Sequence, residues 1–269
     1  MCCLTLSSCG LFEEEVVTIE DGKSNNGLTL GNPSNAQASF LSPNNYLIDR
    51  PQYTLSFNNE KGIPNWVSWH LDRSWIGSAS RNETFLTDIA IPVEWNRVTT
   101  SDYSGSGFDR GHSCPSADRT RTLTDNEATF LLTNIFPQAP KQNRGPWREL
   151  EEFSRDLIFK GNEAYVLMGS FGVGGIGSNG ERDAIGRDGR VTVPKFVWKV
   201  IVILPEGDND VQRIDASTRV IAVLMKTRKW ISSLGINIAL PLMKLKTQQD
   251  MTFYQNYLFC ASHFRRPSR

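Results

Sequence analysis

Apolar residues recur along this chain with two periods. Tyr53, Leu55 and Phe57 alternate with polar neighbours, and Asn65-Trp66-Val67-Ser68-Trp69-His70-Leu71 is a second aromatic, strand-like stretch. Tyr165–Met168, Phe196–Leu204 and Arg219–Met225 are β-branched or aromatic and predict three further strands. Helical patterns cover Asp125–Leu132 and a longer run from about Pro146, suited to a first helical turn, to Lys160, with Gly161 as the stop. At about 100° per residue, Trp147, Leu150, Ser154, Leu157 and Ile158 of that run form one stripe, with Phe153 at its margin. Arg148, Glu152 and Asp156 lie well away from the stripe, and Glu151 and Arg155 fall on the shoulder where helix meets sheet. Gln248–Phe259 predicts a third helix. Gly172–Gly180 lacks the Lys-Ser/Thr ending of a phosphate-binding loop and reads as a mobile surface loop. The pattern predicts an α+β chain with a central antiparallel sheet flanked by helices.

Residues 1–45 differ in texture from the rest of the chain. Leu6-Ser7-Ser8-Cys9 has the form of a bacterial lipobox with Cys9 as the lipid carrier, although the five residues before it are too few for a signal peptide. Either the chain starts downstream of its initiator or the match is accidental. Gly22 to about Asn45 is rich in Ser, Asn, Gly and Pro and reads as a solvated linker, so residues 1–45 are expected to be a signal remnant plus flexible linker, and residues 46–266 the folded domain.

Composition narrows the function. The 269 residues are 39% hydrophobic and 22% charged, which excludes wholesale disorder. No apolar run approaches the roughly 18–20 residues needed to cross a bilayer as a helix. Lys plus Arg balance Asp plus Glu at 29 each, so a nucleic-acid partner must be met by local placement of basic residues. Cysteines 2, 3, 9, 114 and 260 make no CxxC pair and no Cys/His cluster, which argues against structural zinc; Cys114 and Cys260 are open to a disulfide or to two separate buried thiols. Histidine occurs only at 70, 112 and 263, which shortens the search for a base working near neutral pH.

The chemistry concentrates after Phe108. Residues 109–119 read Asp-Arg-Gly-His-Ser-Cys-Pro-Ser-Ala-Asp-Arg, setting a histidine beside a fixed positive charge and a glycine that permits close backbone approach or an unusual dihedral. Asn134, Pro137-Gln138, Asn143 and the helix bearing Glu151 and Arg155 come next. Together these residue types suit phosphodiester hydrolysis. A neutral His can take a proton from water, Mg²⁺ needs only one or two protein oxygens, and Arg side chains hold non-bridging phosphate oxygens.

The stretch resembles the DNA/RNA non-specific endonuclease family, the ββα-metal (His-Me finger) nucleases. The family's DRGH signature stands at Asp109-Arg110-Gly111-His112. Its continuation is seen in Pro115-Ser116-Ala117-Asp118-Arg119, Thr133-Asn134-Ile135-Phe136-Pro137-Gln138, Asn143 and Trp147-Arg148-Glu149-Leu150-Glu151. The likeness covers about residues 46–260. It implies His112 as the general base, Asn143 as the direct ligand of Mg²⁺ or Mn²⁺, and Glu151 as the carboxylate that orients metal-bound water. It further implies Arg110, Arg155 and, upstream, Arg81 as catalytic, phosphate-facing arginines, and Asn134 as a second site asparagine. The implied activity is endonucleolytic cleavage of DNA and RNA, with little sequence preference and 5′-phosphate ends. The chain departs from the family at Ser113-Cys114, where relatives more often carry an apolar residue and then Ala.

Plainer readings stand beside these. Arg110 could serve only as the ion-pair partner of Asp109, Arg81 could be a surface residue, His70 is expected to be structural and His263 a solvated end. Residues 187–229 carry nine Lys or Arg against five Asp or Glu, and part of that stretch is expected to border the substrate groove. The lipobox and linker imply a secreted, periplasmic or lipid-tethered protein. Two other functions fit the same residues: a catalytically silent nucleic-acid-binding envelope protein, and a phosphodiesterase for smaller substrates. The sequence points to no particular inhibitor protein.

Overall fold

The structure, a computed structural model, describes residues 27–228. In chain order the strands are β1 (Tyr46–Asp49), β2 (Thr54–Asn58), β3 (Ile63–Leu71), β4 (Asp109–His112), β5 (Ile135–Gln138), β6 (Asn162–Val173), β7 (Gly175–Gly177), β8 (Gly180–Arg182), β9 (Ala184–Ile185), β10 (Val191–Thr192), β11 (Pro194–Pro205) and β12 (Arg219–Lys226). The helices are α1 (Leu123–Ala128), α2 (Pro140–Gln142), α3 (Arg148–Phe159) and α4 (Asp210–Arg213). The central sheet runs β1-β2-β3-β6-β11-β12, and each neighbouring pair is antiparallel. β4 and β5 form a separate two-stranded ribbon.

Alternation along the strands divides the core into two layers. Val67, Trp69 and Leu71 of β3, Val166 and Met168 of β6, and Val197 and Ile201 of β11 face inward onto Ile135, Phe136, Trp147, Leu157 and Ile158. The intervening residues Trp66, Tyr165, Leu167, Trp198, Val200 and Val202 build the outer layer with Leu30 and Ala36. The inner layer therefore docks the β4–β5 ribbon and α3 on one face of the sheet. Trp147, Ser154, Leu157 and Ile158 of the expected helical stripe are buried, while Phe153 is 40% exposed at its margin.

Several expectations shift. Residues 27–45 are packed where a flexible linker was expected: Leu30 and Ala36 are buried, Gln37 bridges to Tyr46, and Ser34 Oγ accepts from Trp66 Nε1 at 2.8 Å. This cover explains why every residue of β2 is buried although its sequence alternates. A fully buried Leu contributes about 1.5–3 kcal/mol toward holding this polar segment against the sheet. The glycine-rich run is the hairpin β7–β8, where a mobile loop was expected. A Cβ on Gly177 would lie 2.5 Å from Gly107 O, so glycine is needed for close approach. Helix α1 is shorter and earlier than Asp125–Leu132, because Thr122 caps it by accepting from Asp125 N. The helix expected from Pro146 starts its regular part at Arg148. It comes after a wide π-type segment, Asn143–Trp147, broken at Gly145, and Gly161 (φ +82°) ends it. Gln248–Phe259, Cys9, Cys260, His263 and the boundary at 266 lie outside the described residues.

Candidate active site

The ribbon fixes the histidine. Asp109–His112 pairs with Ile135–Gln138 so that Gly111 faces Phe136 and His112 faces Ile135. A Cβ on Gly111 would lie 2.5 Å from Gln138 Oε1 and 2.8 Å from Gln138 Cβ, so close approach, with an ordinary φ, demands the glycine of the motif. Just past the strand end, Asn134 clamps the chain. Its Oδ1 accepts from Cys114 N at 2.9 Å, its Nδ2 donates to Cys114 O and Thr129 O, and Ser113 N donates to Asn134 O. Asn134 is fully buried with its amide spent on backbone, which fixes the chain immediately after His112.

His112 lies between aromatic walls. Its ring centroid is 4.7 Å from that of Phe130, edge to face, and 5.4 Å from that of Phe85. Its Nε2 is buried without a hydrogen-bond partner. Burial, and then the charge of Arg81, push the imidazole down to about 3. The two arginines expected upstream and within the motif meet at these walls: the Arg81 guanidinium lies over Phe130 at 5.0 Å and that of Arg110 over Phe85 at 4.6 Å. Arg81 also donates to Ser116 Oγ, and its side chain is 52% exposed. Arg110 is exposed and does not pair with Asp109. That carboxylate is taken bidentately by Arg144, with Nη2–Oδ1 2.6 Å and Nε–Oδ2 2.9 Å.

Asp109 also orients Asn143. Asn143 Nδ2 donates to Asp109 Oδ2 at 2.9 Å, which fixes the amide so that Oδ1 points away, with no partner among the described residues. Asn143 thus docks on the first residue of the strand whose last residue is His112, about 10 Å along the backbone at roughly 3.3 Å per residue. A neutral amide oxygen held by a fixed carboxylate suits a hard divalent cation that keeps most of its water. The donor set fits Mg²⁺ or Mn²⁺ and offers no soft ligand.

From α3, Glu151 Oε1 meets Lys199 Nζ of β11 at 3.3 Å. Burial raises the Glu151 carboxyl, Lys199 lowers it, and Asp118 raises it again. Arg155, expected to face phosphate, is tied to Asp118 through one nitrogen. Its Nη1 donates to Asp118 Oδ1 at 2.9 Å, and the other carboxylate oxygen accepts from Trp69 Nε1. Two members of the basic stretch 187–229 are committed within the protein. Lys199 is buried under the inner face, whereas Arg213 is committed to Glu163 and Asp210.

His70, Glu163 and Asp210 form a second group of metal-type ligands within 4.8 Å of one another. His70 Nε2 is 2.9 Å from Glu163 Oε2, and Arg213 Nη2 is 2.5 Å from both Glu163 Oε1 and Asp210 Oδ1, so the guanidinium supplies the charge a cation would bring. His70 is expected to be structural, and its Nε2 is engaged by Glu163. Sequence reasoning missed Arg144, Asp118 and Lys199 as partners of the site. Only Lys199 left a signal, as the one charge inside the apolar run Phe196–Leu204.

A profile of the DNA/RNA non-specific endonuclease family matches residues 31–260. A nuclease of Nostoc sp. is 48% identical over 198 residues, covering 73% of this chain and 68% of its own. Nuclease C1 of Cunninghamella echinulata is 35% identical over 169 residues, covering 60% of this chain and 66% of its own. Human mitochondrial endonuclease G is 30% identical over 166 residues, covering 60% of this chain and 56% of its own. The crystal structure of the EndoG/EndoGI complex superposes with a TM-score of 0.61 at 24% identity, covering 78% of this chain and 82% of that chain, a likeness of fold. With the ribbon, the helix and the motif in place, this chain belongs to the DNA/RNA non-specific endonuclease family of nucleic-acid hydrolases.

Proposed function

We propose that the chain cleaves phosphodiester bonds within DNA and RNA with little sequence preference, leaving 5′-phosphate ends, with His112 as the base that takes a proton from water. One observation carries the reading: a half-buried imidazole whose Nε2 is shielded and unpartnered ends the same short strand on which Asn143 is oriented. With its ring held far down the pH scale, His112 is neutral at pH 7 and able to accept a proton. A base held so low is weak, and an arriving phosphate strengthens it, since its negative charge offsets Arg81 and favours the imidazolium. Arg81 and Arg110, whose side chains reach solvent, bind non-bridging oxygens. Phosphate contacts carry no base information, which accounts for low selectivity.

Asn143 Oδ1 would hold Mg²⁺ or Mn²⁺, which when bound stabilises the negative charge that builds on phosphate and leaving oxygen. Glu151 accepts hydrogen bonds from water in the site, and Arg155, anchored by Asp118, stiffens the helix face beside it. Export to the envelope or beyond fits the Cys9 lipobox form. The test is a plasmid-nicking assay with Mg²⁺, with EDTA and with His112→Ala. Nicking is expected in the first case alone, and nicking by His112→Ala would remove the proposed base. Cleavage of dinucleotides but not polymers would favour a smaller phosphodiester substrate.

A further inference from the structure

Along β11, the row facing the inner layer is apolar on both sides of one residue. Val197 and Ile201 are buried, and Lys199 between them is 2% exposed. An ammonium stripped of water there is expensive unless another group compensates it. Its Nζ lies 4.4 Å from the centroid of Trp147 and 5.5 Å from that of Trp69, and Glu151 is the one carboxylate within ion-pair distance of it among the described residues. Glu151 Oε2 has no protein partner among the described residues, and the side chain keeps 15% of its surface exposed. Buried ion pairs add little to fold stability compared with apolar residues of the same volume. A buried lysine that answers to a single site carboxylate therefore needs another explanation.

We propose that Lys199 is a positioning residue: it clamps Glu151 Oε1 against the sheet, so that the charged carboxylate turns its second oxygen to water in the site. The inference rests on the water-binding role proposed for Glu151. The groups facing Glu151 are Lys199 from β11, Asp118 from the turn after β4, and Arg155 from one turn along α3. Burial and Asp118 favour the protonated carboxyl, and Lys199 opposes them more strongly than Arg155 does. Arg155 is moreover shared with Asp118. The two tryptophan rings hold the ammonium in place without a second anion to compete for it.

The experiment measures kcat and KM on a defined duplex with Mg²⁺ across pH for the full chain and its Lys199→Met, Glu151→Gln and doubly substituted forms. Lys199→Met is expected to lower kcat by about 10–100-fold at neutral pH with KM little changed. The acid limb of its profile is expected to move to higher pH, so that the loss shrinks as pH rises. The double variant is expected to be no worse than Glu151→Gln alone, because both changes remove one interaction. A folded Lys199→Met with the parent kcat and acid limb, or a double variant whose losses multiply, overturns the proposal. Full activity in Glu151→Gln overturns the reading of Glu151 instead. If Lys199→Met does not fold, the infrared carboxyl bands of the unmutated protein at pH 7, assigned by difference from Glu151→Gln, decide. An ionised Glu151 supports the clamp and a protonated one defeats it.

Discussion

Two histidines lie on opposite faces of the same sheet, His70 buried and His112 half-buried, and their polar surroundings differ. On the outer face His70 is closed: Nε2 meets Glu163 at 2.9 Å, the ring is 4.5 Å from that of Tyr165, and Arg213 neutralises the two carboxylates nearby. On the inner face His112 is open: aromatic rings enclose it, yet Nε2 has no partner. A polar group satisfied on every side stabilises a fold, and one left unsatisfied has capacity for chemistry. The fully buried ring is the satisfied one, and the half-buried ring is the one with an unpartnered nitrogen.

The strongest way to break this contrast is to remove each ring. His112→Ala should lower kcat by about 10²–10⁴-fold while leaving the thermal midpoint close to that of the parent. His70→Ala should do the reverse, costing about 3 kcal/mol in a urea titration, with turnover per folded molecule unchanged. An exchange of those outcomes would invert the assignment. EDTA extends the comparison: activity should vanish and return with Mg²⁺ or Mn²⁺, while the melting temperature stays put. A lowered melting temperature would mean that the His70 group holds a cation after all.

Smaller effects sharpen the picture. Asp109→Ala releases the Asn143 amide, so the Mg²⁺ concentration giving half-maximal activity should rise by about 10–100-fold, with the fold kept because Arg144 is largely exposed. An unchanged Mg²⁺ requirement would show that the amide needs no orienting. The last effect concerns pH. The His112 ring sits at about 3 in the folded chain, against an ordinary 6.5. The unfolded chain therefore takes up a proton that the folded chain refuses. The stabilising contribution is complete above pH 6.5 and is lost progressively as pH falls toward 3. In NMR titrations of the ring, Arg81→Ala should raise the His112 midpoint, since it removes one of the two causes of the depression.

The same contrast shows what was legible beforehand. The stripe on α3 was, because helical periodicity survives whatever the helix packs against; Glu151 and Arg155 sit on the shoulder that the periodicity assigned them. The motif at 109–112 was recognisable by residue type, yet as four mostly polar residues it carries no alternation to declare a strand. Partners distant in sequence were invisible. Arg144 reaches 35 residues back to Asp109, and Lys199 reaches 48 back to Glu151. The tie of Arg155 to Asp118, 37 residues upstream, was likewise invisible. Composition misled most at 27–45, where scattered Leu30 and Ala36 meet the outer layer that the strands leave bare.

That N-terminal cover has a practical side. Anyone trimming the gene to begin at Tyr46 would strip the lid from Trp66 and Val200 and deprive the indole N–H of Trp66 of Ser34. The shortened protein would carry a greasy flank into solution and clump. A start ahead of Gly27 would spare it that fate.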